Sequence, residues 1–154
     1  MTTQNYSPDD LIDLLTAGAQ IADRPTMKAA VHLLTFTQFP HQHDAVSLLE
    51  FDNDEDPSVP AGAAYVRDWR QVAAVALERR WGTGAEHLVA LAVSLATGGP
   101  VDLRATVPSG GYAHAQRVIE AMVIATGHST HYAITRTPEL EQLIRDRDAL
   151  LSGN

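Results

Sequence analysis

Apolar positions recur at intervals of three and four along most of this chain, and each run is bounded by residues that start or stop a helix. Leu11, Leu14, Leu15, Gly18 and Ile21 share one face behind Ser7, Pro8, Asp9 and Asp10. There Ser7 is the expected N-cap, Pro8 takes the first helical position, and the acids face the positive end of the dipole. Asp23-Arg24-Pro25 ends that helix and opens a second, in which Met27, Ala30, Val31 and Leu34 recur. Residues 34–39 alternate like a strand, but no partner strand is evident, so the helical reading is preferred. A short helix is expected over residues 44–51, with Val46, Leu48 and Leu49 inward. A longer amphipathic helix is expected over 65–81, on Val66, Trp69, Val72, Ala73, Ala76, Leu77 and Arg80.

Residues 83–127 form the clearest unit. Thr83 and Glu86 have capping-box spacing, and the run from Leu88 to Ala96 is apolar on nearly every side. Such a helix belongs at the centre of a fold or in a subunit interface, and a homodimer through residues 86–96 is one expectation. Gly98-Gly99-Pro100 stops it, Leu103 is expected to return to the core, and Ser109 is expected to cap a helix ending at Gly127. That helix has Ala115, Val118, Ile119, Met122 and Thr126 on its inner face. After an extended stretch over 128–135, Thr137-Pro138-Glu139 opens a terminal helix with Leu140, Leu143, Ile144, Arg147 and Leu151 on one side. The expected fold is all-α: a single compact, orthogonal or bundle-like domain over residues 1–154, with six or seven helices, a central apolar hairpin and little or no sheet.

Composition narrows the chemistry. A chain of 154 residues is long enough to bury a core without staples, and zero cysteines exclude disulfides, thiol catalysis and thiolate metal sites. The polar start and the lack of a long apolar run give no signal peptide or membrane span, so a cytoplasmic protein is expected. The net charge of -8, with scattered arginines, disfavours nucleic acid as a partner. A helix-turn-helix reading of residues 83–127 is weakened further, because the connector over 98–108 is long and only Gln116 and Arg117 suit base reading.

Candidate sites are few. The acidic loop over residues 52–62, with Asp52, Asp54, Glu55 and Asp56, is an expected docking surface for a basic partner, and Trp69 and Trp81, on one expected helix with Tyr65, can supply aromatic anchors. A calcium-loop reading fails, since Pro57 stands where Gly is needed and Ala63 where a bidentate Glu is needed. Ser109-Gly110-Gly111 at a helix start can present N–H groups to an anion, with Arg104, His114 and Arg117 nearby. His41, His43, Asp44, His128 and His131 could together ligate zinc or another transition metal, although no His-Glu-x-x-His signature is present. Ser109 lacks the elbow of a serine nucleophile.

The run from Leu91 to Gly127, containing Ala-Val-Ser-Leu-Ala-Thr-Gly-Gly-Pro-Val-Asp-Leu-Arg and an Ala-rich helix, resembles part of small uncharacterised helical proteins of high-GC bacteria and their mobile elements. The resemblance implies an all-α, intracellular, phage- or element-encoded protein and assigns no functional residue. The leading expectation is a non-enzymatic protein-interaction or regulatory module that needs no cofactor. A metal-dependent enzyme or ligand-binding domain using the histidines is the alternative, with a DNA-binding regulator third.

Overall fold

In the computed structural model, residues 5–53, 56, 58–108 and 110–153 are described. Seven α-helices lie among them: α1 (Pro8–Ala22), α2 (Pro25–Leu34), α3 (Trp69–Glu78), α4 (Thr83–Thr97), α5 (Leu103–Thr106), α6 (Tyr112–Ala125) and α7 (Pro138–Ser152). Two three-residue strands, β1 (Leu49–Phe51) and β2 (Ala64–Val66), pair antiparallel with Leu49 opposite Val66 and Phe51 opposite Ala64. The fold is therefore all-α with one small hairpin beside it.

Helix α2 is the hub. It packs against α1, α4 and α6, and Ala29, Ala30, Val31, Leu33 and Leu34 are all buried. Two adjacent alanines remove side-chain bulk, so neighbouring helices approach from more than one side. The hairpin of α4 and α6 closes around α2, each helix touching α2 far more than it touches the other. Ala85, Leu88, Val89, Leu91 and Ala92 of α4 are buried in this core, while Val93, Leu95 and Ala96 pack partly against it. The apolar surface of α4 is thus largely covered within the chain.

The first helix starts as its residues dictate. The Asp10 backbone N–H donates to Ser7 Oγ at 3.2 Å, and the Ser7 N–H donates to Asp10 Oδ2 at 2.8 Å, completing a capping box. Gly18 brings α1 against β2, where a Cβ would lie 2.1 Å from the Ala64 carbonyl oxygen.

Several local expectations are corrected. The stretch over 65–81 is not one helix: Ala64–Val66 is a strand, and α3 begins at Trp69. Asp68 sets that start, because its carboxylate accepts from the N–H groups of Arg70 and Gln71 and fixes the N-terminus there. Residues 44–51 form a 3₁₀ turn (Ala45–Leu48) running into β1, so the strand-forming pair over 49–51 wins once β2 supplies a partner. Helix α2 ends at Leu34, and a short 3₁₀ turn (Phe39–His41) follows. The Thr83–Glu86 capping box does not form. Gly82, at φ 103°, is the N-cap; Thr83 enters the first turn, and the Glu86 N–H donates to the Gly82 carbonyl. Leu103 stays exposed while Thr106 is buried, and Ile119 and Met122 of α6 are exposed where Val118 and Ala121 face the core. The capping role assigned to Ser109 lies outside the described residues, and α6 starts after Gly111.

Candidate functional site

A cavity of about 570 Å³ opens at the head of α4. Gly82, Thr83, Gly84 and Ala85 form one wall, and no side chain caps this helix start. Phe36, Trp81 and Leu88 give the cavity an apolar side; His41 and His114 give it two imidazoles. Two glycines clear room for His114. A Cβ on Gly84 would stand 3.0 Å from His114 Nε2, and one on Gly110, at φ 96°, would stand 2.7 Å from the His114 Cβ. Phe36 meets the His114 ring edge-on at 5.4 Å. Trp81 is 9% exposed, and its Nε1 is buried without an acceptor among the described residues. The Trp81 carbonyl, by contrast, accepts from Gln38 Nε2 at 2.7 Å, pinning the loop ahead of α4.

A second polar cluster joins α2 to α6. His32 Nε2 lies 2.7 Å from Glu120 Oε2, Gln116 Nε2 donates to Glu120 Oε1 at 2.8 Å, and Arg117 Nε donates to the His32 carbonyl at 2.7 Å. Burial first, and then the charge of Arg117, hold the His32 imidazole below its usual value of 6.5 against the pull of Glu120. Burial pushes the Glu120 carboxyl up. Hydrogen bonds from Gln116 and His32, with the charges of His32 and Arg117, outweigh that and leave it lowered. Burial also lowers Arg117, opposed by Glu120. A carboxylate can only accept, so the shared hydrogen sits on His32 Nε2. Gln116 and Arg117, the two residues suited to base reading, are engaged in this cluster; Arg117 also lies over the Phe36 ring at 5.3 Å.

The residues expected at an interaction surface separate. Trp69 is 7% exposed and belongs to the core, and Tyr65 is half-buried beside Gly18, so Trp69 offers no anchor at the surface. Asp52 and Asp56 are exposed and fold the loop on itself: Asp52 Oδ1 accepts from the Gly62 N–H at 2.7 Å, and Asp56 accepts from the Ser58 N–H at 3.0 Å. Asn53 also donates to the Val59 carbonyl. Asp54, Glu55 and Pro57 lie outside the described residues.

The metal candidates do not converge. Asp44 is held by Arg79 through two hydrogen bonds, at 2.7 and 2.6 Å, and those bonds draw its carboxyl down to about 2. His41 lines the α4 cavity and His43 is exposed. His128 and His131 face each other with Nδ1 atoms 3.3 Å apart. No group of three or more histidine, aspartate or glutamate side chains placed to hold a metal exists among the described residues. Of the anion candidates, Gly110 and His114 reach the α4 cavity, Arg104 is exposed, Arg117 is committed to α2, and Ser109 lies outside the described residues.

The C-terminal helix was legible as amphipathic, but its environment was not. None of its described residues is buried. Leu140 and Ile144 are half-covered and Arg147 lies over the Tyr112 ring at 5.4 Å, whereas Leu143, Leu150 and Leu151 are 57%, 78% and 72% exposed. Ile119, Met122 and Tyr132 add exposed apolar surface from α6 and the segment after it.

These features define an all-α domain with an uncapped helix start in a cavity and an amphipathic terminal helix none of whose described residues is buried. No known protein family, curated protein or solved structure matches the chain. No helix of the described residues is long and apolar enough to cross a membrane.

Proposed function

We propose that this protein is an interaction module that binds another protein through α7. The observation carrying this reading is a fifteen-residue helix with none of its described residues buried and three leucines more than half exposed. An isolated helix of that length is marginal in water, because few backbone hydrogen bonds offset its nucleation. Contiguous exposed apolar residues on a small acidic protein mark a surface that another surface covers. The net charge of -8 selects a partner with basic groups flanking its apolar stripe. The acidic loop is a second, polar contact region; it holds its own turn and keeps Asp52 and Asp56 at the surface.

The test is affinity capture from native-host lysate by the tagged protein and by a Leu150→Glu/Leu151→Glu variant, with mass spectrometry of the bound fractions. Both leucines are exposed, so the variant keeps the fold. A protein retained by the parent and lost by the variant supports the reading. Identical capture by both, or no capture, refutes it.

A further inference from the structure

The cavity at the head of α4 combines a helix start, two imidazoles and an apolar lining. The chain carries 19 acidic residues, yet no Asp or Glu is among the described residues lining this cavity. Two imidazoles line it instead, His41 from the turn after α2 and His114 from α6. The same cavity holds the start of a fifteen-residue helix without a side-chain cap, and the first-turn N–H groups of Thr83, Gly84 and Ala85 have no intrahelical acceptor. Glycine at 82 and 84 leaves two positions of this backbone without side chains. In most helices a Ser, Thr, Asp or Asn side chain fills this place; here Gly82 leaves it open.

A helix start alone would say little. Trp81 adds an independent observation: it lines the same cavity, nine-tenths buried, with an indole N–H that finds no acceptor among the described residues. Buried donors of this kind are normally satisfied, and one left unpaired is destabilising. The aromatic ring of Phe36 and the side chain of Leu88 add apolar lining. The volume of about 570 Å³ falls within the range of small-molecule sites.

We propose that the head of α4 binds a small organic anion, a phosphate or carboxylate group carried on a flat apolar body. The charged end lies at the N–H groups of Thr83 to Ala85, where the helix dipole and both imidazoles favour negative charge. The apolar body packs against Phe36, Trp81 and Leu88. This site is separate from α7, so its failure and that of the interaction reading are distinguishable.

Phenyl phosphate, benzoate and inorganic phosphate are titrated separately into the ¹⁵N-labelled full chain and followed by NMR. The proposal expects phenyl phosphate or benzoate to shift the Thr83, Gly84 and Ala85 amides and the Trp81 indole N–H, with whichever binds more tightly identifying the anionic group. Inorganic phosphate is expected to bind at least tenfold more weakly, and His41→Asn and His114→Asn each to weaken binding about tenfold. No shift at these groups, equal binding of inorganic phosphate as an adventitious ion only, or undiminished affinity in His41→Asn overturns it. His41 is exposed, so that variant decides the matter even if His114→Asn fails to fold.

Discussion

Gly18→Ala tests the packing logic of the fold most directly. Gly18 is buried in the third turn of α1, and an added Cβ would stand 2.1 Å from the Ala64 carbonyl oxygen and 3.2 Å from the Tyr65 ring. The nearer neighbour is backbone, held in register by the β1–β2 pairing, and has no rotamer by which to move aside. Relief requires α1 and β2 to separate by about 1.3 Å, to reach the 3.4 Å at which ordinary contact begins. That displacement loosens the burial of Leu11, Leu15 and Ala19 on the same helix. Overpacking of this kind costs about 1–3 kcal/mol, with the upper end expected where backbone must shift. In an exposed helix the same substitution would gain about 1 kcal/mol from backbone entropy. We expect a net loss of about 2 kcal/mol, equal to a fall of about 4–8 °C in Tm for a chain of this size. Urea unfolding followed by circular dichroism, paired with a thermal scan, measures both. A variant as stable as the parent, or more stable, would show that α1 and β2 do not meet as described.

Trp69→Ala should cost about 3–5 kcal/mol, since its indole fills the core; a loss below about 1 kcal/mol in chemical denaturation would return Trp69 to the surface. His32 is held below its ordinary value, so its stabilising contribution is complete above pH 6.5 and is lost as pH falls through that value toward the lower folded one. Thermal scans from pH 8 to pH 5 should show this decline, and His32→Gln should flatten it; an unchanged slope contradicts the assignment. Asp44, lowered to about 2, adds a further loss between about pH 4 and pH 2 that Asp44→Asn removes.

Local rules made much of the fold readable in the amino-acid order. Ser7, Pro8 and Asp10 specify the start of α1 through contacts made within one turn, and Thr137 with Pro138 does the same for α7. Gly98, in the left-handed region, ends α4 as its lack of a Cβ allows. The periodic runs of α1, α2, α4 and α6 were likewise visible, because helical periodicity is a property of neighbours in sequence. Long-range partners were not. Residues 49–51 and 64–66 become strands only when each finds the other across the acidic loop, and an isolated apolar triplet carries no sign of its pair.

The same limit governed the sites. Trp69 and the exposed leucines of α7 look alike as apolar residues on amphipathic helices, yet one is covered and the others are not, since cover is supplied by elements distant in sequence. His114 and Gly110 stood out beside Ser109 as anion chemistry, but their meeting with Gly84, Trp81 and His41 depends on α6 and α4 converging around α2. The chain's own order determined which stretches are helical and the starts of α1 and α7, because hydrogen bonds and caps act over three or four residues. Only the tertiary structure decided which apolar face is buried, which helix start stays open and which imidazoles share a cavity, because those are contacts between segments that the sequence places far apart.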